Sequence, residues 1–97
     1  MKYEWDPPKN QTNLQRHNLD FNDAHLVFEQ PMLVKLDDRV NYDEDRWIGI
    51  GLLNLHVVVI VFTEPHPNTV RVISLRKATS NERKQYEQAY RDEFGIP

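Results

Sequence analysis

The chain has 97 residues, of which 39% are hydrophobic and 28% are charged. This composition is typical of one globular domain with a single core, and it excludes a disordered or membrane-embedded chain. The formal net charge of −3 argues against a protein that coats nucleic acid through many phosphate contacts, but it leaves room for a local cationic patch.

Three further features narrow the class of protein. The longest apolar run, Val57–Phe62, is far shorter than the roughly 20 residues that span a bilayer, and the N-terminus does not resemble a signal peptide. The sequence contains no cysteine, which excludes disulfides, thiolate metal sites and a cysteine nucleophile. We therefore expect residues 1–97 to form one cytoplasmic domain with no membrane contact.

Two helices are predicted before the first strand. Asp6 is typical of an N-cap because a proline follows it, which predicts a helix over Pro7–His17 that ends at Asn18. Asp20 can cap a second helix, which Pro31 closes. Its apolar residues recur at helical spacing and are Phe21, Ala24, Val27 and Phe28.

Four extended runs follow, each rich in aliphatic residues and bounded by turn-forming or charged segments. They are Met32–Leu36, Arg46–Leu53, His56–Phe62 and Val70–Arg76. The short link at Asn54 predicts a hairpin between the second and third runs, and Glu64–Asn68 predicts a longer turn before the fourth. The sheet is therefore expected to be mainly antiparallel.

A capping box at Thr79-Ser80-Asn81-Glu82 begins the last predicted helix. Its apolar stripe consists of Tyr86, Ala89, Tyr90 and Phe94, and Gly95 is a stop signal. The elements together predict an α+β fold with two N-terminal helices, a mainly antiparallel four-stranded sheet and one C-terminal helix.

Basic residues cluster at the end of the fourth run. Arg71, Arg76 and Lys77 precede a helix N-terminus, which also favours anions, so a phosphate can be accommodated there. On these residues alone, solvated cations or partners of the acidic segment 37–45 are the preferred interpretation. Strand alternation predicts that Arg71 and Arg76 point to opposite faces, with Arg76 the stronger catalytic candidate.

Histidines and carboxylates give weaker signals. His17 lies at a helix end, where it suits either proton transfer near neutral pH or a favourable contact with the helix dipole. No histidine pair has metal-ligand spacing, and segment 37–45 lacks the calcium-loop pattern. We therefore predict neither a metal nor a cofactor.

A family resemblance runs through nearly the whole chain. In the first half it is carried by Glu4-Trp5-Asp6, Lys9, Asn13, Arg16-His17, Phe21, Ala24, Val27-Phe28, Asp38-Arg39, Tyr42, Glu44 and Arg46-Trp47. In the second half it is carried by Gly51, Phe62-Thr63-Glu64, Arg71–Thr79, Glu82-Arg83 and Tyr86. No single motif is diagnostic, but this ordered series resembles the BrnT family of toxins.

The resemblance implies a RelE-like fold and a type II toxin that cleaves RNA and halts translation. It also implies a BrnA-type antitoxin partner with a ribbon-helix-helix part, through which the complex binds operator DNA. The sequence departs from the family pattern at Pro65-His66-Pro67, where a cation is common, and at Leu75, where alanine is common. Both departures touch the expected site, where His66 is a conceivable substitute for the missing cation.

Metal-free RNA cleavage requires a proton acceptor, a proton donor and cations that stabilise the phosphorane charge. We expect Arg76 and Arg46 to stabilise that charge. Candidates for proton transfer or base stacking are Glu64, His17 and Tyr86, and candidates for RNA binding are Lys77, Arg71, Thr79, Arg83 and Lys9. Burial in the core is the alternative role for Tyr86, and a salt bridge is the alternative for Glu64.

Two other functions stay open. One is a non-enzymatic corepressor module that tunes a DNA-binding partner through its charged surface. The other is a small phosphate or nucleotide binder that uses Arg76, Lys77 and the capped helix.

Overall fold

The computed structural model, which describes residues 1–39 and 44–93, contains a five-stranded mixed sheet with helices on both faces. The strands are β1 (Lys2–Glu4), β2 (Leu33–Leu36), β3 (Trp47–Leu53), β4 (His56–His66) and β5 (Thr69–Lys77). The helices are α1 (Pro7–His17), α2 (Ala24–Phe28) and α3 (Ser80–Asp92), with a 3₁₀ turn over Phe21–Asp23. The strand order is β1-β5-β4-β3-β2.

The prediction of four strands was wrong because β1 is missing from it. The pairings among β2, β3, β4 and β5 are antiparallel as expected, whereas Lys2–Glu4 pairs parallel with Thr69, Val70 and Arg71 of β5. A strand of three residues, two of them charged, is too short to show a period of two. The fold class is therefore α+β with a mixed sheet.

Other boundaries also differ from the predictions. The expected second helix begins as a 3₁₀ turn, in which Asp20 accepts a hydrogen bond from the Asn22 amide at 2.9 Å, and continues as the short α2. Strand β4 extends through His66, so only the end of the predicted turn at 64–68 is a turn. Phe94 of the predicted apolar stripe and the predicted stop signal at Gly95 lie outside the described residues.

Two of the predicted helix ends are confirmed, whereas Asp6 lies at the N-cap of α1 without a side-chain hydrogen bond to the helix. Asn18 ends α1 in the left-handed conformation with φ 57°, and its amide donates to the Leu14 carbonyl at 2.9 Å. The capping box of α3 is complete, because Thr79 accepts from the Glu82 amide and Glu82 accepts from the Thr79 amide. These local signals therefore fixed two helix ends correctly.

Separate apolar clusters cover the two faces of the sheet. On one face, Phe21, Ala24 and Val27 pack over a core of strand residues, which are Leu53, Val58, Ile60, Phe62, Val70, Val72 and Leu75. On the other face, Tyr86 of α3 packs with Ile50 and Val59. Among the described helices, none combines the length and apolarity needed to cross a bilayer.

A β-bulge at Ile73 changes the direction of side chains within β5. Val61 pairs with Ser74, yet the next residue, Phe62, pairs with Val72, so Ile73 has no partner position on β4. Paired residues share a face, which places Val72 and Leu75 on the α2 side. The same register places Arg71, Ser74 and Arg76 on the α3 side. The predicted opposite orientation of the two arginines was therefore wrong.

Helix α1 is attached to the sheet through buried amide side chains. Asn13 Nδ2 donates to the Leu75 carbonyl at 2.8 Å, and the Leu75 amide donates to Asn13 Oδ1 at 3.1 Å. Asn13 Nδ2 also donates to the Leu19 carbonyl, and Asn10 Oδ1 accepts from the Phe21 amide. Because β1 pairs with β5 only as far as Arg71, Asn13 replaces a neighbouring strand at Leu75.

Asn13→Ala should lower the free energy of unfolding by about 2 kcal/mol or more, because it leaves buried backbone groups of Leu75 without partners. Denaturant unfolding followed by circular dichroism measures the loss. Gln15→Ala, at an exposed position of the same helix, is the control and should stay within about 0.5 kcal/mol of the unaltered protein. Equal stability of the two variants would show that α1 is held mainly by other contacts.

Candidate functional site

Within residues 1–39 and 44–93, helix α3 packs against only part of the α3-side face of the sheet. Tyr86 and Tyr90 of α3 pack near one end, against Ile50 and Val59. The remaining part carries three arginines around Ile48, Val61 and Ser74, which are half-buried. We call the set Arg46, Ile48, Val61, Arg71, Ser74 and Arg76 the arginine face.

The strand register gives the layout of the arginine face. Arg71 lies opposite Thr63 on β4, and Arg46 directly precedes Trp47, which lies opposite Phe62. Arg71 therefore lies beside Thr63, and continuing the strand alternation one residue before β3 places Arg46 at the same end. Arg76 lies opposite Val59, which is about 13 Å from Thr63 along β4 at the usual rise per strand residue. Arg76 therefore lies at one end of the apolar surface formed by Ile48 and Val61. Arg46 and Arg71 lie at the other end.

A carboxylate holds Arg76 in place. Its Nη1 and Nη2 atoms each donate to an oxygen of Glu82 at 2.8 Å, and Nη1 also donates to the Lys77 carbonyl at 3.2 Å. The side chains of Arg76 and Glu82 are 38% and 23% exposed. Hydrogen bonding to Glu82 raises the pKa of Arg76, and the nearby charge of Arg39 acts in the opposite direction. Arg76 is therefore a fixed, charged group with an accessible edge.

Two further arginines are paired in the same way. Arg71 donates from Nε to Glu4 at 2.8 Å, with its Nη2 atom 2.7 Å from the same oxygen. Arg39 donates from Nε and Nη2 to the two oxygens of the buried Asp37 at 2.8 and 2.9 Å. These contacts reduce the freedom of the guanidinium groups near the face. They also explain how several like charges are tolerated close together.

Thr63 is a polar residue of this region that was not among the predicted site residues. It is 1% exposed, and among the described residues its Oγ1 has no hydrogen-bond partner. A buried hydroxyl without a partner is unfavourable by about 1–3 kcal/mol. The only feature of the sequence that points to Thr63 is its place as the polar residue directly after the apolar run Val57–Phe62. The position of Thr63 opposite Arg71 follows from the strand register alone.

The predicted RNA-binding residues are divided among separate places. Lys77 and Arg83 line a groove of about 600 Å³ on the far side of α3 from the open part of the face, together with His56, Tyr90 and Arg91. Lys9 and His17 line a pocket of about 320 Å³ beside α1. Thr79 uses its side chain to cap α3. Of the predicted site residues, the arginine face thus contains Arg46, Arg71 and Arg76, whereas Lys77 and Arg83 share one groove and Lys9 and His17 share another pocket.

The remaining candidates for proton transfer occupy very different environments. Tyr86 is 2% exposed, and its hydroxyl donates to the Pro31 carbonyl at 2.7 Å. Burial raises the pKa of Tyr86. These contacts favour the core role, so we leave Tyr86 out of the proposed catalytic set. Glu64 is exposed, directly after Thr63, where β4 bulges opposite β5.

The acidic segment was considered as a metal site and set aside. Its residues 40–43 lie outside the described part of the chain. Among the residues that are described, no group of three His, Asp or Glu side chains is placed to hold a metal ion. Asp37 instead pairs with Arg39.

Comparison with known proteins identifies a family. Residues 5–82 match the sequence model described as the ribonuclease toxin, BrnT, of type II toxin-antitoxin systems. The fold is similar to the 1.1 Å crystal structure of the Brucella abortus ribonuclease toxin BrnT, with a TM-score of 0.63 and 30% sequence identity. That match covers 82% of this chain and 99% of the Brucella chain. A search of curated proteins gives no match.

The stability contributed by Glu82 should depend on pH. Hydrogen bonding to Arg76 lowers the pKa of Glu82 from 4.5 to about 2, so its contribution is complete above pH 4.5 and is lost as the pH falls towards 2. Glu82→Gln keeps a side chain that can complete the capping box but removes the ion pair.

The melting temperature of Glu82→Gln should therefore lie below that of the unaltered protein at pH 7, with a smaller difference at pH 3. Thermal unfolding followed by circular dichroism gives both values. Glu87→Gln removes the same charge from an exposed position of α3 and is the matched control. A difference that is equal at both pH values would contradict the assigned role of the ion pair.

Proposed function

Because the chain belongs to the BrnT family of ribonuclease toxins of type II toxin-antitoxin systems, we propose that it is an endoribonuclease whose cleavage of RNA inhibits translation. The observation that carries the proposal is the arginine face, where the strand register places Arg71 and Arg76 on one side of the sheet and strand alternation places Arg46 at its Thr63 end. Arginines that are already oriented can bind phosphate and stabilise negative charge that develops on it.

The proposed reaction is attack of a ribose 2′-hydroxyl on the adjacent phosphorus atom. The 2′-oxygen loses its proton and forms a bond to phosphorus, and the bond from phosphorus to the 5′-oxygen breaks. The 5′-oxygen gains a proton, and the other product ends in a 2′,3′-cyclic phosphate. The protein must supply proton transfer and must stabilise the additional charge of the phosphorane.

Arg76 is our first choice for charge stabilisation. Among the described residues, its hydrogen bonds use both Nη1–H groups and one Nη2–H, which leaves Nε–H and the second Nη2–H for a phosphate oxygen. Arg46 and Arg71 are proposed to bind the substrate at the Thr63 end of the face. Ile48 and Val61 offer an apolar floor against which a base can pack.

Proton transfer is proposed for Glu64, with His17 as a more distant candidate. Glu64 directly follows Thr63 and is exposed, so an RNA bound at Arg46 and Arg71 lies near it. His17 lines the pocket beside α1, beyond the edge of β5. Neither residue lies among the three arginines themselves.

The proposed protein partner is a BrnA-type antitoxin with a ribbon-helix-helix part, and operator DNA is contacted only through that partner. Membership of a type II family supports a protein antitoxin. The edge strand β2 exposes the apolar side chains Val34 and Leu36, which is the kind of surface that a protein partner covers. The groove that contains Lys77 and Arg83 offers a second surface of this kind.

Arg76→Ala should reduce RNA cleavage by about 100-fold or more, as expected for the removal of one group that stabilises the transition state. It should also abolish growth arrest when the chain is expressed without an antitoxin. Gel analysis of a defined RNA incubated with purified protein gives the rate. Arg76→Lys keeps the charge but loses the planar guanidinium group. Its cleavage rate should therefore lie between those of the unaltered protein and Arg76→Ala.

Loss of the ion pair with Glu82 is the competing explanation for an effect of Arg76→Ala. Glu82→Gln removes the same pair, so it should lose similar stability with a much smaller loss of cleavage. Retained toxicity of Arg76→Ala would remove this residue from the site. A purified wild-type protein that cleaves no RNA, yet changes operator binding by a partner, would favour the corepressor alternative.

Cleavage should persist in EDTA and leave a 2′,3′-cyclic phosphate, because the proposed mechanism uses side chains alone for charge stabilisation. Mass spectrometry of the RNA ends identifies the product. The control is the same reaction with EDTA followed by excess Mg²⁺. Activity that disappears on chelation and returns with Mg²⁺ would contradict the metal-independent mechanism.

A further inference from the structure

A pocket of about 320 Å³ lies where α1 passes the edge of β5. The strand contributes Ile73 and Ser74, the two residues at the bulge. The pocket follows from the topology, because β1 pairs with β5 only as far as Arg71 and Asn13 of α1 binds Leu75. Between these two contacts, the edge of β5 borders the pocket.

Every ionisable side chain that lines this pocket is of a basic type: Lys9, Arg16 and His17 contribute from α1. Among the described residues, no Asp or Glu lines it. Within residues 1–39 and 44–93, none of the three forms an ion pair. Lys9 and Arg16 are seven residues apart, which places them on the same side of the helix about 10 Å from each other. The pocket is therefore a positively charged slot along α1.

The other lining groups are polar and partly fixed. Thr12 Oγ1 donates to the Pro8 carbonyl at 3.2 Å, so its oxygen is oriented and can still accept a hydrogen bond. Asn13 is held by its contacts with Leu75 and Leu19. The C-terminal end of a helix disfavours anions, so Arg16 and His17 are needed there if the pocket is to bind one.

The pocket is continuous with the arginine face. Ser74 lies between Arg71 and Arg76 on that face, because it pairs with Val61, and it also lines the pocket beside α1. A chain that leaves the arginine face at Ser74 therefore reaches Lys9 and Arg16 by crossing the edge of β5. A single RNA strand carries a phosphate on each nucleotide and can make this crossing.

We propose that the pocket between α1 and the bulge of β5 binds a second backbone phosphate of the RNA, next to the phosphate at the arginine face. The inference rests on the proposed function, because the ligand is the RNA substrate. Lys9 and Arg16 bind the phosphate as charges, and Ser74 marks the point where the strand crosses. Lys9 and Arg16 thus align the RNA without contacting the reacting atoms.

The test measures binding of a 2′-O-methyl RNA oligonucleotide, which cannot undergo the cleavage reaction. The double variant Lys9→Gln and Arg16→Gln should bind it about three- to tenfold more weakly at 100 mM salt. The slope of log affinity against log salt should fall by about 0.7 for one lost single-strand phosphate contact. The double variant Lys2→Gln and Lys84→Gln removes the same charge at other exposed positions and should keep the wild-type slope.

Nuclear magnetic resonance with the same oligonucleotide locates the contact. The inference predicts shifts of the Thr12 and Ser74 amides in the wild-type protein and their loss in the Lys9 and Arg16 variant. An unchanged salt slope in that variant, in a protein that cleaves RNA, would overturn the inference and leave the proposed function intact. Weaker antitoxin binding with unchanged RNA binding would overturn it and assign the pocket to the protein partner. A wild-type protein that neither binds nor cleaves RNA would contradict the proposed function itself.

Discussion

The β-bulge at Ile73 determines which side chains of β5 reach the arginine face. If residues 71–76 alternated regularly with no bulge, Arg71 would point towards the α2 side of the sheet, where Val70 and Val72 now pack. Burial of an arginine there would be very unfavourable, because the surrounding cluster is apolar. The bulge therefore allows Val70 and Val72 to pack in the core while Arg71 lies on the arginine face. Asn13 stabilises the strand just beyond it, by binding both backbone groups of Leu75.

The ion pairs around the arginine face combine two physical effects. Glu4, Asp37 and Glu82 orient Arg71, Arg39 and Arg76, which reduces the conformational entropy that substrate binding would otherwise cost. The same carboxylates offset repulsion among the cations, and they compete with a phosphate for the guanidinium groups. A protein of net charge −3 can thus present a local cationic surface. Binding to this surface should be weaker than binding to unpaired arginines, which suits an enzyme that must release its product.

Local signals in the sequence predicted the local structure well. The caps at Asn18 and Thr79 and the hairpin at Asn54 depend on a few adjacent residues, so their side chains and backbone preferences were sufficient. Strand β1 was missed because its pairing with β5 joins residues far apart in the chain. The bulge was missed because a regular period of two was applied across residues 70–76, although the adjacent apolar residues Val72 and Ile73 interrupt the alternation there. That single omission reversed the predicted relation between Arg71 and Arg76.

The candidate site shows the same limit. The family resemblance suggested a group of residues, but it could not show that Lys77 and Arg83 line one groove while Lys9 and His17 line a separate pocket. The apolar stripe of α3 also could not show whether Tyr86 is a core residue or a site residue, because an aromatic ring beside a sheet fits both roles. The hydrogen bond to Pro31 distinguishes them, and it depends on a contact between residues 55 positions apart.

The capping box of α3 connects helix formation to the candidate site. One oxygen of Glu82 accepts from both the Thr79 amide and Nη1 of Arg76, and the Glu82 amide in turn donates to the Thr79 hydroxyl. Any change that loosens the first turn of α3 must therefore also loosen Arg76. Thr79, which the sequence suggested as an RNA-binding residue, can influence substrate binding through this chain of hydrogen bonds without touching RNA. The stability of the first turn of α3 and the orientation of Arg76 are therefore energetically coupled.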